Sequence, residues 1–176
     1  KKGIKTKEFQ ASNCAYHIHW KPKFISKHEG TPLKNISISC DTTTQKGEAV
    51  ITKFGLEGNA IYGLSPQIRE QLNAKSKAHI YIDFKPTLTP KTIQSKLNSS
   101  VYRTTAEILK KELKLSPSQI HLLRLHLSKE CYLNIESLSE HIKKFPLEIA
   151  HASPIDEAIS TVGGIDFSAI TKNFEL

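Results

Sequence analysis

The hydrophobic pattern lengthens its period near Pro86, and this change limits the folds that the chain can adopt. Before Pro86, apolar and polar residues alternate, as Tyr16, Ile18 and Trp20 do with their neighbours. Alternation with a period of two is typical of half-buried β-strands. After Pro86, apolar residues recur every three or four positions, which is typical of amphipathic helices. The pattern therefore predicts an α+β fold in which a group of helices follows a group of strands.

The strands and helices can be placed more closely from their flanking residues. Alternating or β-rich runs at residues 36–39, 49–51 and 79–82 lie between glycines and Pro86 and predict a small mixed β-barrel or sheet. Residues 147–150 and 158–162 return to strand character. We therefore predict a β-barrel-like part made of residues 1–88 and 146–176. Residues 89–145 should form an inserted helical bundle subdomain with a core of its own.

Three pairs in which Ser or Thr precedes Pro mark expected helix starts, namely Thr89-Pro90, Ser116-Pro117 and Ser153-Pro154. The hydroxyl can cap the helix, and proline costs no hydrogen bond in the first turn. Ser116 also precedes Gln119 by three residues, which is the spacing of a capping box. The helix after Ser116 is therefore the most clearly indicated one.

Composition narrows the classes of protein further. The 176 residues carry 25 Lys and Arg against 17 Asp and Glu, a net charge of +8, and include no Met. The missing Met predicts that the chain is a fragment of a longer protein. The absence of a long apolar run or a signal sequence predicts no membrane partner and a cytoplasmic location. The positive charge favours a polyanion as partner, but only 7% of residues are aromatic, so nucleic-acid binding is not favoured.

Residues able to bind metal are present but are not grouped. His17 and His19 share one face of a strand without a carboxylate or a third histidine nearby. Cys14, Cys40 and Cys131 are far apart and form no CxxC motif. We therefore predict no metal site, no disulfide framework and no assignable catalytic nucleophile.

A glycine-rich stretch from Gly47 to Ser65 is the most informative motif, with Gly55 and Gly58 at its centre. It predicts a strand that turns into a short helix near Asn59. Such a turn can be purely structural, or its free backbone N–H groups can face an anion or a polarised oxygen. The dinucleotide pattern GxGxxG and the phosphate-loop pattern GxxxxGK[ST] are both missing from the sequence.

Several stretches, taken in order, resemble a known family. They are SNCAYHIHW, GTPLKNISIS, GEAVITKFGLEGNAIYGLS, IDFKPTLT and PLEIAHASPIDEAISTVGGIDF. Residues 47–60 fit the pattern G-E-x-x-x-T-x-x-G-L-x-G-x-A, and residues 158–165 supply a second motif that ends in Gly163-Gly164-Ile165. In these stretches the chain resembles the central insert of the BaiN/YhiN-like family of bacterial FAD-dependent oxidoreductases.

This resemblance implies a role within a larger flavoprotein. An FAD-binding domain of the same polypeptide would hold the cofactor, and the insert would cover the flavin and an unknown small-molecule substrate. The chain alone, which lacks the FAD-binding Rossmann segment, should bind no FAD and be inactive. The positions that the resemblance places next to flavin or substrate are Thr52, Gly55, Gly58, Asn59, Thr161, Gly163 and Gly164. The alternative function is that of a basic binding module for nucleic acid or another polyanion.

Overall fold

The computed structural model describes residues 4–173 and 175, and it has an α+β fold, as the sequence predicts. The nine strands are β1 (Thr6–Asn13), β2 (Tyr16–His17), β3 (Pro32–Cys40), β4 (Thr43–Ile51), β5 (Gly55–Glu57), β6 (Ala78–Asp83), β7 (Phe145–Ile149), β8 (His151–Ala152) and β9 (Ser160–Ile165). The eight helices are α1 (Pro22–His28), α2 (Asn59–Tyr62), α3 (Ser65–Lys75), α4 (Pro90–Asn98), α5 (Thr105–Lys111), α6 (Pro117–His126), α7 (Lys129–Leu133) and α8 (Ile135–Lys143).

Seven strands form the main sheet, in the order β7-β6-β3-β4-β5-β2-β8, and all neighbouring strands are antiparallel. The two edge strands, β7 and β8, are consecutive in the chain and are separated only by Ala150. The sheet must therefore curl until its edges come close together, and Ala150 N–H donates to the carbonyl of His17 over 2.9 Å. β7 and β8 do not pair with each other among the described residues, so the sheet is not a closed barrel.

A separate ribbon consists of β1 and β9, which pair antiparallel from Thr6↔Ile165 to Asn13↔Ser160. Two hydrogen bonds attach β1 to α3 at the base of this ribbon. Ser65 Oγ donates to the carbonyl of Ser12 over 2.5 Å, and Arg69 Nη1 donates to the carbonyl of Ala11 over 3.1 Å. The outer part of the ribbon, from Thr6 to Gln10, is exposed.

Helices α4 to α8 lie between β6 and β7 in the sequence, where the longer hydrophobic period predicts helices. Thr89 caps α4, and Ser116 and Gln119 form a complete capping box at α6, so these two predicted starts are confirmed. The third predicted start, Ser153-Pro154, is wrong, because only a short 3-10 turn, Ile155–Glu157, follows it. The chain pairs with β1 soon afterwards, which leaves no room for a longer helix.

Two helices in the predicted strand region were not expected, namely α1 and α3. α3 begins with Ser65-Pro66, the same kind of pair that marks α6, but it buries only Ser65 and Ile68 completely. Such a narrow apolar stripe gives a weak helical period. α1 has seven residues and one buried side chain, Phe24, so its period is weaker still.

The buried side chains form one continuous cluster that includes residues of both the sheet and the helices. Phe84 and Phe145, on the segments that enter and leave the helical region, pack with tilted rings whose centroids are 5.4 Å apart, and His126 on α6 packs edge-on against Phe145. The expectation of a separate helical core is therefore wrong, because the helices use the sheet as part of their core. The division into residues 1–88 with 146–176 and residues 89–145 stays a prediction.

Within the described part of the chain, no helix has both the length and the apolar composition needed to span a membrane.

Candidate functional site

The predicted site begins at the turn that joins β4 to β5. Thr52 closes this turn, because its Oγ1 accepts a hydrogen bond from Gly55 N–H over 3.1 Å. The carbonyl of Thr52 also accepts from the indole N–H of Trp20 over 3.1 Å. Phe54, at the tip of the turn, is 56% exposed. Thr52 therefore holds the turn in shape, and Phe54 is the side chain that the turn presents to its surroundings.

The two central glycines allow close approach between backbones. A Cβ at Gly55 would lie 1.8 Å from the carbonyl oxygen of Tyr16, on the neighbouring strand β2. Gly58 has a φ of +113°, and a Cβ there would lie 3.0 Å from the carbonyl oxygen of Glu48. Both positions thus require glycine for reasons of packing or backbone conformation alone.

Asn59 follows as the first residue of α2, and its side chain is already engaged. Its Oδ1 accepts from Glu48 N–H over 3.0 Å. The amide group lies directly over Gly47, where a Cβ would come within 2.5 Å of the same oxygen. The helix α2 has only four residues, and the N–H groups of Ile61 and Tyr62 both donate to the carbonyl of Gly58. The turn therefore satisfies most of its own hydrogen-bonding groups.

The other predicted positions, Thr161, Gly163 and Gly164, lie on β9 of the ribbon. Gly163 has a φ of +123°, and a Cβ there would lie 2.4 Å from the carbonyl oxygen of Glu8 on β1. Gly164 has a φ of +96°, but an added Cβ would meet only the ring of Phe9, at 3.7 Å. Thr161 pairs with Ala11 and is exposed. These residues shape an exposed ribbon.

The structure places the two predicted groups on different sheets, the turn on the main sheet and Thr161 to Gly164 on the ribbon. They are linked through Cys14 and Ala15, which join β1 to β2. The space beside the Cα atoms of Gly55 and Gly58 is filled by the backbones of β2 and β4. Packing alone thus accounts for these two glycines, and the flavin contacts inferred from the resemblance stay a prediction.

An imidazole and aromatic cluster borders the turn, and the sequence analysis missed it. The ring of His17 stacks on that of His151, with centroids 4.2 Å apart, and on the ring of Phe54 at 5.5 Å. His17 Nε2 also shares a hydrogen bond of 3.0 Å with Ser153 Oγ. Pairing of β2 with β5 on one side and β8 on the other brings these residues together. No local motif marks the cluster, because 133 residues lie between His17 and His151.

Burial, and then the nearby His151, lowers the pKa of His17 below its usual value. The ring is thus held neutral at pH 7, and it can donate a hydrogen bond from one nitrogen and accept one at the other. The cluster can move a proton, orient a polar group, or stack against a planar one. Its surface lies next to the base of the ribbon, since Ser153 N–H donates to the carbonyl of Ala15 over 2.8 Å.

A metal site does not form among the residues that the structure describes, where no three His, Cys, Asp or Glu side chains meet in a suitable group. His17 and His19 do alternate with buried residues, as their spacing predicts, but His17 turns to Ser153 and His151. Cys14, Cys40 and Cys131 are free thiols.

Comparison with known protein families gives a match. The family model for the HI0933-like protein barrel and H2TH domain matches residues 10–160, which is most of the chain. No curated protein matches the sequence. The match agrees with the curled sheet and the helices placed between its strands, and it confirms the resemblance to the BaiN/YhiN-like flavoproteins. The chain therefore belongs to the family of HI0933-like protein barrel and H2TH domains.

Proposed function

We propose that this chain is the substrate-side insert of an FAD-dependent oxidoreductase. It would cover the flavin that is held by the FAD-binding domain of the same polypeptide. The family match supports a place within a flavoprotein. The observation that carries the proposed role is the β1–β9 ribbon, since it has the geometry of a connection to a second domain.

The ribbon brings distant parts of the chain side by side. Thr6 and Ile165 are paired across it, although 158 residues lie between them. An insert that enters and leaves its host domain at one place has its two ends close together, as the paired strands of this ribbon do. Because the ribbon has only two strands, each strand also has an outer edge without a pairing partner in the described structure. Such edges can accept a further strand from a neighbouring domain.

The ribbon and its surroundings also expose apolar side chains. Phe9 is 62% exposed, and Ile159, Val162 and Ile165 are exposed nearby. Exposed apolar residues that cluster in one region mark an interaction surface. Covering them on the FAD-binding domain would remove apolar area from water, which stabilises the contact by about 25 cal/mol for each Å² buried.

On this proposal, Thr161, Gly163 and Gly164 lie near the flavin because they are part of the ribbon that meets the FAD-binding domain. Phe54, at the tip of the turn from Thr52 to Asn59, would also face the FAD-binding domain. His17 and His151 would face the substrate there, and they could position it or exchange a proton with it. The oxidation or reduction itself would be supplied by FAD when it is bound.

The proposal can be tested in the natural polypeptide through the accessibility of its flavin. If the insert covers the site, bound flavin should be protected from fluorescence quenching by iodide. The double variant Phe9→Ser with Val162→Ser should weaken the ribbon contact and increase quenching several-fold. Val101→Ser, which alters a side chain that is 87% exposed in the helical region, provides the control and should change nothing.

Two results would contradict the proposal. One is a purified natural polypeptide that contains no flavin. The other is flavin that iodide quenches equally in the parent protein, the ribbon variant and the control, because weaker contact of the ribbon should let more iodide reach the flavin.

A further inference from the structure

A cleft in the helical region has features of a ligand site that is separate from the flavin side. It has a volume of about 720 Å³ and lies among α5, α6 and α7. This volume is within the range of about 300–1,000 Å³ that is typical of small-molecule sites. The ribbon and the His17–His151 cluster contribute no residue to its lining.

Three cationic side chains line this cleft, namely Arg103, Arg124 and Lys129, and no acidic residue does. None of the three takes part in an ion pair among the described residues. All three are exposed, so their charges are available to a ligand. Arginine binds phosphate and carboxylate groups well, because its planar guanidinium can donate two parallel hydrogen bonds to them.

The rest of the wall is largely apolar and includes Leu127, Tyr132 and Leu133. Leu133 is 57% exposed, so the cleft offers apolar surface to a ligand. We propose that this cleft binds a small molecule that carries an oxyanion, either phosphate or carboxylate, on an apolar body.

The nearest acids do not cancel this charge. Glu107 caps α5, where its carboxylate accepts from the N–H and the hydroxyl of Thr104. Glu107 lines a neighbouring cleft, which shares Arg124 and also contains Lys27 and Lys110. Glu130 lines another cleft. The cleft thus keeps a net positive charge, since it has three cations and the carboxylate that reaches its edge, that of Glu107, is hydrogen-bonded to Thr104.

The shape favours a small molecule over nucleic acid. The cations converge on one concave cleft and do not follow an extended groove, as contacts to a phosphate backbone would. Tyr132 is the only aromatic residue in the lining, and its hydroxyl is buried. A single aromatic wall suits one planar group and does not provide the successive stacking positions of a single-strand binding surface.

The test is calorimetric titration of the natural polypeptide at low salt with two probes, phenyl phosphate and benzoate. We expect saturable binding of at least one of them at one site, and the preferred probe identifies phosphate or carboxylate. Arg124→Gln and Lys129→Gln should each weaken that binding by about tenfold, the loss expected for one charge-assisted hydrogen bond. Lys91→Gln removes an exposed positive charge of α4 outside the cleft, and it should leave the affinity unchanged.

Thermal unfolding of each variant shows whether it folds, and a short DNA duplex serves as a further probe. The proposal is overturned if neither small probe saturates at millimolar concentration, or if both variants bind as the parent does. It is also overturned if the duplex binds through Arg124 and the small probes do not compete with it. Iodide quenching of the flavin is a separate measurement, so failure here leaves the proposed role as an insert standing.

Discussion

Substitution of Gly55 by alanine tests whether the glycine motif is held by packing. The added Cβ would lie 1.8 Å from the carbonyl oxygen of Tyr16, and it would also approach the carbonyl carbon of Tyr16 at 2.6 Å and the Cα of His17 at 2.9 Å. All three atoms belong to the backbone of β2, so no rotation of a side chain can relieve the contact. We therefore expect β2 and β5 to move apart.

The cost can be estimated from two terms. Overpacking in a close-packed interior costs about 1–3 kcal/mol. Separation of β2 from β5 also weakens the pairs Tyr16↔Leu56 and His17↔Gly55, and Tyr16 is a buried core side chain. We expect a total loss of about 3 kcal/mol, at the upper end of the overpacking range. For a domain of this size, that loss lowers the melting temperature by about 6–12 °C.

Differential scanning calorimetry of the natural polypeptide measures this shift, and two glycines in this chain serve as controls. Gly30 has a φ of +76° and nothing within 4 Å of an added Cβ, so Gly30→Ala should cost only about 1–2 kcal/mol of backbone strain. Gly63 has a helical φ of −64°, and an added Cβ would meet only the flexible side chain of Gln45. We expect Gly63→Ala to be nearly neutral.

The opposite ranking would refute this reasoning. If Gly55→Ala melts within a degree of the parent while its flavin content falls, the motif is a ligand contact and not a packing requirement. A Gly30→Ala variant that melts at a lower temperature than Gly55→Ala would also contradict the packing argument.

Three further predictions rest on single contacts. Lys143 Nζ lies 2.6 Å from an oxygen of Asp83, and both side chains are less than 20% exposed; Lys143→Gln should therefore destabilise the protein by about 2 kcal/mol in urea unfolding. Tyr132 buries a hydroxyl that has no partner in the described structure, so Tyr132→Phe should be neutral or stabilise by up to about 1 kcal/mol in the same assay. His28 and His121 share a hydrogen bond of 2.9 Å, and burial lowers the pKa of both. The unfolded chain thus takes up protons more readily, so stability should fall as the pH drops below about 6.5, and His121→Gln should flatten this slope.

The sequence predicted those parts of the fold that depend on local information. The change of period near Pro86 correctly indicated the helices α4 to α8, and the pair Ser116 and Gln119 marked the start of α6. α3 was missed although it starts with Ser65-Pro66, because its buried stripe is narrow. The single core was missed for another reason. Contacts between sheet and helices, such as that of His126 on α6 with Phe145 on β7, join residues that are not neighbours in sequence, so the local hydrophobic period does not predict them.

The candidate site was predicted less well than the fold. The strand that turns into a short helix near Asn59 was predicted correctly, but the glycines of this turn could have served either a ligand or a neighbouring strand. The position of the Tyr16 carbonyl shows that packing against β2 is sufficient to require glycine at position 55. The cluster of His17, His151 and Phe54 was invisible because it depends on β2 pairing with both β5 and β8.

One glycine of each motif packs against the same N-terminal segment. Gly55 lies against the backbone of Tyr16 on β2, and Gly163 lies against the backbone of Glu8 on β1. The two motifs therefore need not contact a common ligand. Gly55 lets β5 approach β2 closely, and Gly163 lets β9 approach β1. The side chains that they position are His17, paired with Gly55, and Phe9, beside Gly163. Because His17 is only partly buried and Phe9 is exposed, the chemistry of the proposed flavin-facing side should be sought in these two side chains, and not in the glycines that hold them there.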